Sequence, residues 1–222
     1  MKKQSGFTLI ELAIVLVIIG LLLGGVLKGQ ELINSAKVKN MAADFKNTQV
    51  YIYGYQDKYK ALPGDHRTAS NSISGATNPP PANAGNGVIN GAYDAEDGTA
   101  SETALFWQHV RLAGLAPGPT DPTDPNYYPT NADGGRIGVS SVAGNTAVTV
   151  LNPAGDNGGI SGSFIVCSDG VLGRFAKQLD TSLDDSNTAT GSMRTVATGT
   201  ASIGIANASV ADATSYTVCL AF

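Results

Sequence analysis

Residues 2–27 read KKQSGFTLIELAIVLVIIGLLLGGVL. Phe7 to Leu27 is a 21-residue apolar run broken by a single charge, Glu11, at its fifth position. Coiled into a helix, such a run is about 31 Å long, the thickness of a bilayer's hydrocarbon core. A charged side chain in hydrocarbon costs several kcal/mol, and residues that bear that cost are usually functional. Fold and function therefore turn on what Glu11 is for.

Three readings compete. A secretory signal peptide has an apolar core of about 7–15 residues followed by a small-residue cleavage site. This run is longer, has no clear A-x-A-like site and contains Glu11. A plain membrane anchor explains the length but not the carboxylate. Basic residues do not orient it, because Lys2 and Lys3 on one side face Lys28, Lys37 and Lys39 on the other. The third reading accounts for the charge. The stretch KKQSG-FTLIE closely resembles the cleavage and methylation site of type IV prepilins and pseudopilins. In that family a short basic leader ends in Gly, the next residue, usually Phe, is N-methylated, and Glu stands fifth in the mature chain. The resemblance implies a leader of residues 1–6, cleavage between Gly6 and Phe7, N-methylation of Phe7 and an assembly role for Glu11.

The chemistry fits that implication. Cleavage after Gly6 would create a cationic amine on Phe7. An amine and a carboxylate are each costly alone in lipid, and pairing the amine of an incoming subunit with Glu11 of a neighbour relieves both. A wrong stagger would leave a bare charge, so the pair would also set register. In a free subunit Glu11 can instead be protonated. Loss of Lys2 and Lys3 with the leader would leave 12 bases against 18 acids.

Beyond the run, Val38, Met41, Phe45, Thr48, Ile52, Tyr55, Tyr59 and Leu62 recur at spacings of three and four, one stripe on a helix. The stripe is short and rich in Tyr, which suits packing on a sheet better than a coiled coil. Pro63 and Gly64 stop the helix. The expected element is about 55 residues long, far beyond the usual 10–14. The resemblance supplies the reason: the inner half (residues 7–27) spans the membrane or forms a filament core, and the amphipathic half (28–62) backs a globular head (63–222). Many pilins carry a proline near the membrane exit. This chain has none from Phe7 to Leu62 and has Gly20, Gly24 and Gly25 instead, which favours a minor pilin or pseudopilin over a major pilin.

Residues 63–100 are turn-rich and form a long αβ-loop within a loop region ending at 135. The loop holds Asp65, Asn86, Asn90, Asp94 and Asp97 near glycines, oxygen donors that suit Ca²⁺. Their spacing does not match the D-x-[DN]-x-[DN]-G loop, and the same residues serve turns equally well. Some pseudopilins bind calcium in a head loop, so the resemblance adds calcium as a candidate cofactor. Ser101–Leu115 reads as a short helix capped by Ser101. His109 lies two residues from Trp107 and reads as a packing or surface residue. The sheet region, 136–222, offers strands at Arg136–Ser140, Ala147–Leu151, Ser163–Cys167, Met193–Thr198 and Tyr216–Leu220. A helix is expected through Leu172, Phe175, Ala176, Leu179 and Leu183, with Asp169 as its cap. Asp184 and Asp185 are either ligands or the polar end of that helix. LPGD, GNG, FWQH-x-RLAGL and QLD-x-x-LDD followed by TG resemble a head type that recurs among minor pilin-like proteins. The expected fold is α+β, type IV pilin-like: a long N-terminal helix on a small antiparallel sheet, with short extra helices.

Cys167 and Cys219 are the only cysteines. With an export signal present they read as one disulfide, against two reduced buried thiols. Such a bridge resembles the cysteine-closed loop of many pilin heads; here the loop would enclose a Gly/Ala/Ser/Thr-rich run, Thr188–Thr214, read as exposed hairpins.

Charge divides unevenly: residues 28–60 hold six Lys against three acids, whereas 14 acids face six bases from residue 61 onward. An acidic head argues against nucleic acid as the main partner. There is no GxSxG, P-loop, HExxH, GxGxxG or CxxC, so an enzyme is not expected. The resemblance implies a structural subunit of a type IV pilus-like filament. Its implied partners are other pilin or pseudopilin subunits, a prepilin peptidase and an inner-membrane assembly platform. It implies a single-pass protein of the bacterial inner membrane with its head outside the cytoplasm, later part of a periplasmic or surface filament. A filament-borne adhesion or DNA-uptake module and a membrane-anchored hydrolase are the competing classes.

Overall fold

The computed structural model describes residues 9–95, 98, 101–143, 160–198 and 209–222. The chain divides into two compact units, Met1–Lys37 and Val38–Phe222. One helix, α1 (Leu9–Tyr59), contributes to both. In the first unit its side chains from Leu9 to Leu27 are exposed. Lys28 donates to Glu31 at 2.7 Å just beyond them. In the second unit α1 buries Val38, Met41, Phe45, Thr48, Ile52 and Tyr55, the spaced stripe. The helix stops before Pro63: Lys60 takes a left-handed φ of 55° and its N–H still reaches the carbonyl of Gln56.

The second unit is α+β. After α1 come α2 (Ala69–Ser72), α3 (Glu102–Leu112), β1 (Ile137–Ser141), β2 (Phe164–Leu172), α4 (Gly173–Leu183), β3 (Met193–Ala197) and β4 (Ser215–Ala221). The strands form one antiparallel sheet in the order β1-β2-β4-β3. Period-two alternation sorts their residues into two cores. Ile137, Val139, Phe164, Val166, Val218 and Leu220 join the α1 stripe, with Phe106 and Trp107 of α3 and Phe175 and Leu179 of α4. Ile165, Cys167, Val196, Cys219 and Ala221 build a smaller cluster with Ile160.

Cys167 and Cys219 are register partners on β2 and β4 and are joined by a disulfide, with Cα atoms 4.1 Å apart. The bridge closes a separation of 52 residues across the middle of the sheet. By the loop-entropy argument that separation contributes at most about 4 kcal/mol.

Two elements differ from the sequence expectation. The strand from Ser163 does not end at Cys167 but runs to Leu172, through a bulge between Ser168 and Val171 where Gly170 adopts φ 67°. Asp169 is therefore strand, not the cap of α4. It accepts from Tyr93 Oη at 2.9 Å and Thr217 Oγ1 at 2.5 Å, and α4 starts after Leu172 without a side-chain cap. Residues 63–95 are mostly irregular yet tied down. Ser141 N–H donates to the Ile89 carbonyl at 3.0 Å, Ile89 N–H to Ser141 Oγ at 2.8 Å, Ser140 Oγ to the Gly91 carbonyl at 2.9 Å, and Arg136 Nη1 to the Asp94 carbonyl at 2.9 Å. Gly138 permits this approach: a Cβ there would lie 1.9 Å from the Tyr93 carbonyl oxygen. The expected strand Ala147–Leu151 and part of the Thr188–Thr214 run lie outside the described residues.

Candidate functional site

Gly6 and Phe7 lie outside the described residues; the described part of the site starts at Leu9. Glu11 sits in the first turn of α1, where the positive end of the helix dipole favours a carboxylate. The side chains around it are apolar and exposed, among them Leu9, Ile10, Leu12, Ile14 and Val15. No run of this kind stays in water as a separate surface, because contiguous apolar patches of this size mark membrane or protein contacts. By length and composition α1 suffices to cross a membrane. The first unit thus offers apolar area on every side of the helix, with one carboxylate at its amino-terminal end.

The second unit holds its two histidines by hydrogen bonding. His109, wholly buried, accepts at Nδ1 from the Gly64 N–H at 2.9 Å, and its Nε2 lies 2.8 Å from the Thr77 carbonyl. A carbonyl only accepts, so Nε2 carries the proton. Burial lowers the pKa of His109 from 6.5 to about 4. His66, 2.9 Å from the Tyr55 hydroxyl, is lowered in the same direction by burial, against a smaller rise from Asp65. These histidines hold a core together, as expected for His109.

Among the loop's calcium candidates, Asp65, Asn86 and Asn90 engage protein partners through their side chains. Asp65 is buried and its carboxylate accepts from the backbone N–H groups of Gly85, Asn86 and Gly87. Asn86 Oδ1 caps its own turn, accepting from Val88 N–H at 2.8 Å. The Asn90 amide donates to Glu102 Oε2 at 2.9 Å and to the Val88 carbonyl at 3.1 Å. Asp94 contributes its carbonyl to Arg136. Asp97 lies outside the described residues. The reason is physical: oxygens near glycines were free to satisfy the many N–H groups of a turn-rich loop.

Three carboxylates converge elsewhere among the described residues. Asp184 and Asp185, at the end of α4, meet Asp180 so that one oxygen from each lies within 4.8 Å of the others. Asp180 was missing from the sequence reading of that end. The signal was present as D-x-x-x-D-D, because residues four apart share a helix face. Burial first, then Asp185 and Asp184, push the pKa of Asp180 up to about 6.

Residues 1–27 match the family described as the prokaryotic N-terminal methylation motif, the signal of type IV pilins and pseudopilins. The match ends where the apolar run ends, so it speaks for the first unit and not for the head. No curated protein and no solved structure matches the chain. The motif implies processing by a prepilin peptidase and assembly with other pilin subunits, and the apolar helix is long enough for the membrane span that such a signal precedes.

Proposed function

We propose that the chain is a minor pilin or a pseudopilin of type II secretion, a structural subunit rather than an enzyme. In this reading residues 1–6 are a leader removed by the peptidase, Phe7 is the N-methylated terminus, residues 7–27 form the membrane span and later the filament core, residues 28–62 back the head, and residues 63–222 are the head. The observation that carries it is the methylation motif continued by an exposed apolar helical run to Leu27 with Glu11 as its single charge. The membrane holds the subunit before assembly, with the head outside the cytoplasm. On leaving the membrane each helix exchanges lipid for neighbouring helices at little cost, because both are apolar. The ionic contact between the Phe7 amine and a neighbour's Glu11 then decides register.

Intact mass and amino-terminal sequencing of the protein from its native membrane test the processing. The expected chain begins at N-methyl-Phe7; one that begins at Met1 or near residue 25 would leave only an anchor or a secreted protein. Glu11→Ala tests the pairing separately. It should leave cleavage intact and reduce incorporation into filaments to background, read by shearing and immunoblotting. Incorporation at the wild-type level would remove the ionic contact from the mechanism.

A further inference from the structure

The carboxyl-terminal end of α4 holds an arrangement that the filament reading does not use. Asp180 is 0% exposed, and neither of its carboxylate oxygens has a hydrogen-bond partner. The Ser186 and Asn187 N–H groups act on it from the following turn without reaching hydrogen-bond geometry. A buried carboxylate so placed costs several kcal/mol unless it meets a cation or takes up a proton. Its surroundings sharpen the demand. Asp184 and Asp185 bring two more negative charges, and the negative end of the α4 dipole adds to them. Arg194 on β3 supplies one positive charge near Asp185. Three carboxylates exceed it by two charges, the charge of one divalent ion.

We propose that Asp180, Asp184 and Asp185 bind one calcium ion at the end of α4. Ligand oxygens on calcium stand at about 2.4 Å from the ion, so two of them are at most about 4.8 Å apart. The three carboxylates meet that limit. All three donors are hard oxygens, which selects calcium or magnesium over zinc or copper. The ligands come from one helical turn and the tight turn after it, where Ser186 has φ 69°. Such a set is irregular, and calcium tolerates irregularity where magnesium demands an octahedron. Asp185 is exposed and Asp184 half-buried, so water completes the shell on that side.

The outer shell is in place. Asp184 Oδ2 accepts from Met193 N–H at 2.7 Å. Gly191, at φ 74°, allows this: a Cβ there would stand 2.0 Å from the same oxygen. Asp185 accepts from Asn187 N–H at 2.9 Å and from Thr190 Oγ1 at 2.6 Å. These bonds orient the two carboxylates, as second-shell partners do, and leave lone pairs for the ion. The ion would tie the end of α4 to the turn that starts the edge strand β3. This inference stands on the head alone and does not depend on the filament reading.

The test uses the full chain in detergent, stripped with a chelator and titrated with CaCl₂ by calorimetry, with thermal unfolding in parallel. The expected result is one equivalent bound and a melting midpoint that climbs with calcium. Asp185→Asn, at an exposed position, should weaken binding at least tenfold. Asp180→Asn should abolish the calcium response and raise the midpoint of the stripped protein, since it removes a buried charge; a merely structural Asp180 would lower it. Asp94→Asn, in the loop, should change nothing. The proposal is overturned by no saturable binding up to about 10 mM, well above the range of extracellular calcium sites. It is equally overturned by an equal response to MgCl₂, by calcium binding that survives both Asp180→Asn and Asp185→Asn, or by loss in Asp94→Asn alone.

Discussion

At the scale of single residues, His109 shows how the head uses a titratable group without chemistry. Its two ring nitrogens are both spent, Nδ1 on the Gly64 N–H and Nε2 on the Thr77 carbonyl. Gly64 makes the first bond feasible: it adopts φ 89°, and a Cβ there would lie 2.3 Å from the Glu102 carbonyl oxygen. Protonating Nδ1 would turn an acceptor toward a donor, which agrees with a pKa lowered to about 4. The unfolded imidazole takes its proton near 6.5, so between those values the unfolded state binds more protons. The contribution of His109 to stability is therefore complete above pH 6.5 and lost as pH falls toward 4, in total about 3 kcal/mol. Asp44, raised to about 6 by burial, acts oppositely and adds stability as pH falls through 6, as does Asp180 without a cation. A melting curve mixes these contributions, so the clean observable is the imidazole itself. Its NMR resonances should stay those of the neutral Nε2–H tautomer down to pH 5. A midpoint near 6.5 would mean that solvent reaches the ring and that the two bonds are not formed.

At the scale of elements, the connector after α3 is organised by one cation without a carboxylate. Arg111 is buried; its Nε donates to the Pro117 carbonyl at 3.1 Å, and its Nη1 donates to the carbonyls of Pro119 at 2.8 Å and Tyr127 at 2.5 Å. The guanidinium also lies over the rings of Trp107 and Tyr127, 5.6 and 5.2 Å from their centroids. A lysine ammonium cannot span three carbonyls from a planar fork. Arg111→Lys should therefore cost about 2 kcal/mol, from carbonyls left unpaired in the interior. Urea unfolding followed by the fluorescence of Trp107 measures this, and an unchanged midpoint would show that the connector holds itself. Such long-range ties mark the boundary of what sequence could tell. The α1 stripe, α3 with its Ser101 cap, and β3 and β4 were readable, because periodicity and capping are local. The extension of β2 was not, because Asp169 suits a cap as well as a bulge and only Tyr93 and Thr217, both distant in sequence, decide between them. The loop after α1 was legible as turns but not as an ordered segment, since its partners lie on β1 about 50 residues away. The same distance hid that the carboxylate of Asp65 goes to the backbone N–H groups of Asn86 and Gly87.

At the scale of the molecule, the chain separates stability from association. Among the described residues, every member of both hydrophobic cores lies at or beyond Val38. The uninterrupted exposed apolar side chains lie at Leu27 and before. Removing residues 1–27 therefore deletes no core residue, and it discards the surface that water tolerates least. What remains carries 17 of the chain's 18 acids, with Glu11 gone, against 12 bases, a net charge that opposes self-association. Residues 28–222 should accordingly fold on their own, keep Trp107 in its buried environment and sediment as a monomer at micromolar concentration. The full chain, by contrast, should need detergent. A stable oligomer of the shortened chain would move the assembly surface from the amino-terminal helix to the head. An unfolded shortened chain would mean that the first unit supplies stability as well, and the division between a self-sufficient head and an associating helix would fall.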